Sequence, residues 1–136
     1  MNWKIIFQLS VFGSIMAVAT VFLIPEKVEP FFWLFIFLFS AYVIAQTVFR
    51  KYFLHGFCVS LANCVWITVA HLIFYSTYIT NHPGAARMAE DHPMLPGHPR
   101  LSMAVAGVFI GIACGLILGL LSYIAALIIK KKPAAH

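Results

Sequence analysis

Four long runs of apolar residues constrain what this chain can fold into more than any other feature of its sequence. They cover about residues 5–24, 31–49, 57–80 and 102–129. A helix needs roughly 20 apolar residues to cross the hydrocarbon core of a bilayer. Only helices and closed barrels can cross lipid, and these runs lack the alternation of barrel strands. The sequence therefore predicts an all-α integral membrane four-helix bundle with antiparallel neighbouring helices.

The composition agrees with a membrane chain and not with a small soluble domain. Of the 136 residues, 62% are hydrophobic and only 10% are charged, and the mean hydropathy is +0.95. A soluble domain of this size keeps too much of its surface exposed to hide so many apolar side chains. We therefore expect one transmembrane domain over residues 1–136, with an outer loop at 81–101 and a cytoplasmic tail at 130–136.

The distribution of lysine and arginine predicts how the helices are oriented. Six basic residues fall on one side: Lys4, Arg50, Lys51, Lys130, Lys131 and Lys132. Three fall on the other: Lys27, Arg87 and Arg100. Short loops rich in lysine and arginine stay in the cytoplasm, so both chain ends are expected there. The basic residues form no continuous basic face, so the formal charge of +5 does not indicate a nucleic-acid partner.

Small residues recur at helical spacing on two of the predicted helices. The fourth helix carries Gly107, Gly111, Gly115 and Gly119, each four residues apart, and the first helix carries Ser10, Ser14 and Ala17. Such stripes let two backbones approach closely in lipid, where hydrophobicity does not drive helices together. We predict that the first and fourth helices pack together within one chain. The alternative is a homo-oligomer or a larger membrane complex formed through the fourth helix.

Polar side chains follow one face of the predicted third helix. This polar stripe comprises Ser60, Cys64, Thr68, His71, Tyr75 and Tyr78. Its spacings of three and four residues keep it on one side of a helix with 3.6 residues per turn. Polar side chains within spans usually face the protein interior, so we expect His71 to hydrogen bond with Ser40 or Ser14 at a similar depth. The histidine is interpreted either as a neutral packing residue or as part of a proton or ligand path.

The predicted outer loop contains three His-Pro pairs and two acidic residues. Imidazole and carboxylate groups bind zinc, nickel and copper, so His82, His92, His98 and Asp91 form a candidate site for a divalent transition metal. The prolines also have a structural explanation, because Pro83 would end the third helix and Pro99 suits the first turn of the fourth. We favour a connecting loop without a cofactor and keep the metal site as the alternative.

The residues needed for several known membrane chemistries are missing from the predicted spans. No span contains Asp, Glu, Lys or Arg, so the carboxylate of a small four-helix multidrug exporter is absent. His71 alone cannot supply the two ligands of a bis-histidine haem. The cysteines, Cys58, Cys64 and Cys114, form no C-x-x-C pair. We therefore expect no enzyme activity.

Three functions are compatible with these features. The first is a non-catalytic scaffold or accessory subunit of a membrane assembly. The second is a small oligomeric transporter or channel that uses the polar stripe around His71. The third is a metal-binding or metal-sensing protein that acts through the His-Pro loop. A transporter predicts a cavity along the polar stripe, whereas a scaffold predicts a closed, packed stripe.

Two stretches of the chain carry a family resemblance. They are FRKYFLHGF, which opens the third helix, and GLILGLLSYIAALIIKKKP, which follows the middle of the fourth. Together they resemble a widespread bacterial family of small four-helix inner-membrane proteins of unknown function, and the likeness in layout covers the whole chain. The resemblance implies a location in the bacterial inner membrane and supplies no catalytic residue.

Overall fold

The chain is all-helical over residues 1–130, the part that the computed structural model describes. Its six helices are α1 (Trp3–Phe22), α2 (Glu29–Thr47), α3 (Tyr52–Ile73), α4 (Tyr75–Asn81), α5 (Pro83–Asp91) and α6 (Pro99–Lys130). Four of them, α1, α2, α3 and α6, are long and apolar enough to cross a membrane. The all-α prediction is confirmed for these residues, and the length and composition of the four long helices suggest a membrane protein. The predicted tail at 130–136 lies outside the described residues, apart from the backbone of Lys130.

The third apolar run forms two helices and not the single helix expected over 57–80. Phe74 leaves helical geometry, with φ −104° and ψ 35°, so α3 ends before it and α4 begins after it. The α4 segment ends at Asn81, whose side chain donates to the Val21 carbonyl at the end of α1, 2.7 Å away. Pro83 does not end a long helix but begins α5, where its missing N–H group costs nothing. Pro99 begins α6, as the sequence predicted.

The two ends of the molecule are held by different contacts. At one end, the Asn2 end, the backbone N–H of Asn2 donates to Nε2 of the buried His55, 2.9 Å away on α3. At the other, the α5 end, the Glu26 carboxylate accepts hydrogen bonds from the backbone of Gly84 and Ala85 in the first turn of α5. The α1–α2 turn and the α4–α5 segment therefore lie together, as expected for long helices that run alternately up and down.

The glycines of α6 face α3. A Cβ atom added at Gly107 or Gly111 would meet the side chain of Thr68 or Cys64, and one added at Gly115 or Gly119 would meet the ring of Phe57 or Phe53. The predicted pairing of the first and fourth helices is therefore wrong, because α6 packs on α3 and α2. A homodimer through the same glycines would have to displace α3.

The small residues of α1 also face α3. Gly13 lies against the side chain of Asn63, and a Cβ atom at this position would overlap that side chain. Ser10 accepts a hydrogen bond from the indole of Trp66, 3.4 Å away. Ser10 and Ala17 are buried, whereas Ser14 is half-buried. The α6 glycines and, on α1, Ser10 and Gly13 thus pack on α3 and not on one another.

The apolar core occupies the half of the bundle nearer the Asn2 end. Its buried members come from α1, α3, α6, the last part of α2 and the residue directly after α2: Ile6, Leu9, Ala41, Ile44, Val48, Val59 and Leu118. These helices close on one another there and leave no exposed surface on Ile44, Val59 or Leu118. The half nearer α5 also buries apolar side chains, such as Val21 and Ala70, but it contains a cleft between α2, α3 and α6, which is the candidate site.

Candidate ligand-binding cleft

A partly open cleft of about 910 Å³ lies between α2, α3 and α6 in the half of the molecule nearer α5. Its lining contains the whole polar stripe predicted on the third helix: Ser60, Cys64, Thr68, His71, Tyr75 and Tyr78. The opposite walls are largely apolar and include Leu34 of α2 and Ile110 of α6. Sites for small organic ligands occupy several hundred to about 1,000 Å³ and combine apolar walls with a few polar groups. The cleft has both properties.

Asn63 is a polar residue of the cleft that the sequence interpretation missed. It is only 2% exposed, it lines the cleft, and neither its Oδ1 nor its Nδ2 atom has a hydrogen-bond partner. Its position three residues after Ser60 was the available signal, because that spacing keeps both residues on nearly one helix face. Buried polar groups are nearly always hydrogen bonded, so an unpartnered amide here needs an explanation.

His71 is hydrogen bonded to α1 and not to the residues predicted from its depth. Its Nε2 atom lies 3.2 Å from Oγ1 of Thr20. The Thr20 hydroxyl also lies 3.1 Å from the carbonyl of Ala17, so a hydroxyl that donates to this carbonyl accepts from Nε2 of His71. The predicted partners Ser40 and Ser14 are wrong, because α3 packs on α1 at a register that presents Thr20. The Ser40 hydroxyl is buried without a partner.

Three aromatic rings form a column from the polar stripe to the α5 end. The ring of Tyr78 stacks on His71 at a centroid distance of 3.8 Å and on His82 at 4.3 Å. His82 is only 1% exposed, and its Nδ1 donates to the Tyr78 carbonyl, 3.0 Å away. The break at Phe74 turns α4 into this position, which the sequence alone did not indicate. His82 is therefore part of the interior and not of an exposed loop.

Two carboxylates line the end of the cleft nearest α5. Glu29 accepts from the indole N–H of Trp33, 3.1 Å away, and its other oxygen lies 3.3 Å from Nε2 of His82, without the alignment of a hydrogen bond. Glu26 accepts from two backbone N–H groups at the start of α5, each 3.1 Å away. A tyrosine hydroxyl has an ordinary pKa of about 10, so the Tyr78 hydroxyl is protonated at neutral pH and can donate.

The predicted metal ligands are not brought together. His82 is buried beside Tyr78, whereas His92, His98 and Asp91 are exposed. Over residues 1–130, no three His, Cys, Asp or Glu side chains are placed to hold a metal ion. Of the four predicted ligands, His92 is the one that lines the cleft.

Comparisons with known proteins give no match: no family model, no curated protein and no solved structure matches this chain. The resemblance of residues 49–57 and 115–133 to a bacterial family therefore stays a prediction. The function has to be inferred from the cleft itself.

Proposed function

We propose that this chain is a multi-pass membrane protein that binds an amphipathic small molecule in the cleft between α2, α3 and α6. The observation that carries the proposal is the position of the cleft, which follows the polar stripe along α3. A scaffold or accessory subunit would be expected to close that stripe with packed side chains. An open cleft favours a ligand-binding role, such as that of a small transporter, over the scaffold role.

The unpartnered amide of Asn63 also supports an occupant. A buried polar group without a hydrogen bond costs roughly 1–3 kcal/mol, and Asn63 leaves both a donor and an acceptor unused. The Oδ1 atom lies against Gly13 of α1, so a ligand hydroxyl or carbonyl group in the cleft would accept a hydrogen bond from Nδ2. Its apolar part would contact Leu34, Ile67 and Ile110, which line the same cleft.

Filling the cleft is expected to weaken ligand binding about tenfold or more, which is a loss of ~1.4 kcal/mol. Ala106 lines the cleft on α6, and Ala106→Phe would place a ring inside it. Trp33 lines the same cleft, so a nitroxide-labelled single-chain amphiphile should quench its fluorescence. The measurement uses protein in which Trp3 and Trp66, the other two tryptophans, are replaced by phenylalanine.

Val108→Phe is the matched control for this experiment. Val108 lies on the same helix two residues away, is 60% exposed and is not part of the cleft. The Val108→Phe substitution should leave the quenching of Trp33 unchanged. Equal quenching in the Ala106→Phe and Val108→Phe proteins would contradict binding in the cleft.

We also propose that the protein lies in a bacterial inner membrane with both termini in the cytoplasm. The excess of lysine and arginine at the Asn2 end supports this orientation, which places the α5 end and the cleft in the outer half of the bilayer. An even number of crossings is consistent with termini on one side.

The orientation predicts which cysteines a membrane-impermeant maleimide labels in intact cells. With the three native cysteines replaced by alanine, Met94→Cys should be labelled at once, because Met94 lies between α5 and α6 and is half exposed. Phe49→Cys, at the exposed α2–α3 turn, should be labelled only after the cells are opened. The reverse pattern would show the opposite orientation.

A further inference from the structure

The charged residues that line the cleft are all acidic. Glu26 and Glu29 supply two carboxylates, and no lysine or arginine of the described residues belongs to the lining. The two carboxylates accept hydrogen bonds from the N–H groups of Gly84, Ala85 and Trp33. These donors are neutral, so they orient the carboxylates without cancelling their charge. His82 is the ionisable neighbour of Glu29, with its Nε2 atom 3.3 Å from a carboxylate oxygen. Glu26 forms no ion pair within residues 1–130, so its charge is not cancelled by a neighbouring cation. The end of the cleft nearest α5 therefore favours a positively charged ligand group.

Aromatic rings lie at the same end of the cleft as the two carboxylates. Trp33, Tyr75 and Tyr78 all line it. The faces of such rings attract cations, and tryptophan does so most strongly. Both faces of the Tyr78 ring are covered by His71 and His82, so the faces open to a ligand belong to Trp33 and Tyr75. The guanidinium carbon of Arg100, which is outside the lining, already lies 5.6 Å from the centroid of the Tyr75 ring. Carboxylates and aromatic faces together form a site suited to an ammonium group.

We propose that the ligand is a lipophilic cation, with an ammonium or quaternary ammonium group beside Glu29 and Trp33 and an apolar body between α2 and α6. This proposal rests on the proposed function, because it identifies the chemical class of the molecule that the cleft binds. The walls beyond the carboxylates are apolar, so a small hydrophilic amine would leave most of the cleft unfilled. An anionic amphiphile would be repelled by the two carboxylates.

Asn63 provides an independent indication that a ligand extends along the cleft. It lies eight residues before His71 on α3, which is about 12 Å towards the middle of the bundle. Its buried, unpartnered amide lines the inner part of the cleft. A cation bound near Glu29 would reach it with the far end of its apolar body, where a hydroxyl or carbonyl group would find a hydrogen-bond partner.

The test compares three probes that share one nitroxide-labelled alkyl chain and differ in the head: trimethylammonium, hydroxyl or sulfate. Each is titrated into the protein with Trp33 as its only tryptophan, in uncharged maltoside micelles. A reference protein with Trp33→Phe and Val108→Trp, whose tryptophan lies outside the cleft, corrects for partition into the micelle. We expect the ammonium probe to quench Trp33 at about tenfold lower concentration than the hydroxyl probe, with the sulfate probe weakest.

Charge removal is the second part of the test. Glu29→Gln and, separately, Glu26→Gln should reduce the preference for ammonium over hydroxyl about threefold to tenfold and leave the hydroxyl probe unchanged. Two variants are used because either glutamate also holds its neighbours in place, and a thermal unfolding curve of each confirms that it is folded. Equal binding of all three probes, or a preference for sulfate, would overturn the inference while leaving the cleft as a binding site. Quenching of Trp33 no stronger than that of the reference protein would overturn the proposed function itself.

The ammonium group of the ligand could belong to a lipid headgroup or to a free lipophilic amine. A third part of the test distinguishes these two sources. The single-tryptophan protein is placed in phosphatidylglycerol nanodiscs with chain-labelled phosphatidylethanolamine or, in parallel, chain-labelled phosphatidylglycerol. Stronger quenching by the ethanolamine lipid supports a lipid headgroup as the ligand. Equal quenching by both lipids, with the ammonium probe still preferred in micelles, supports a free amine.

Discussion

Gly56→Ala is expected to destabilise the protein by about 2–3 kcal/mol, a large effect for the addition of one methyl group. A Cβ atom at position 56 would lie 2.6 Å from the carbonyl oxygen of Leu118 and 2.9 Å from Cα of Gly119. Both are backbone atoms of α6 and cannot move aside by changing a rotamer. The two helices would have to separate, and contact would be lost all along the α3–α6 packing.

The measurement is reversible unfolding of the purified protein by sodium dodecyl sulfate in mixed micelles, followed by circular dichroism. Ala113→Val serves as the control, because Ala113 is exposed on the surface of α6 and the added methyl groups meet no packed neighbour. The Ala113→Val protein should unfold at the same concentration of sodium dodecyl sulfate as the unchanged protein. If Gly56→Ala also does so, then α3 and α6 do not approach as closely as the structure places them.

The second large effect is expected at Leu118, where Leu118→Ala should destabilise the protein by about 2–4 kcal/mol. Leu118 is 0% exposed and packs in the core with Ile44 and Val59, so truncation leaves a cavity. Ile110→Ala, on the same helix, should cost less than about 1 kcal/mol, because Ile110 is 61% exposed and lines the cleft.

The same unfolding measurement applied to this pair tests whether the walls of the cleft are less tightly packed than the core. Comparable losses at both positions would mean that the cleft walls are packed as tightly as the core. In that case, the cleft would close in the membrane, and the scaffold role would become the better proposal.

Much of the helical layout was readable in the sequence because the bilayer and the backbone impose simple local rules. Run length indicated the four long helices, and Pro99 marked the start of α6. Spacing placed Ser60 and His71 on one face of the third helix, and the structure places both in the lining of one cleft.

The partners of these residues were not predictable in the same way. His71 pairs with Thr20 and not with Ser40, and the α6 glycines face α3 and not α1. Depth along a helix follows from counting residues, but the choice of neighbour depends on how helices are rotated and ordered around one another. In lipid, the neighbour of a helix is determined by close packing over whole helix faces. A single stripe of residues does not specify that packing.

The sequence by itself determined that the fold of residues 1–130 is all-helical, that four apolar helices are long enough to cross a membrane and which face of the third helix is polar. These properties follow from the thickness of a bilayer, the fixed φ of proline and the period of the α-helix, which act within one segment. Only the tertiary structure decided that His82 is interior, that Asn63 lacks a partner and that Glu26 and Glu29 reach the cleft. Those outcomes depend on the break at Phe74 and on contacts between segments far apart in the chain, which arise only when the helices pack.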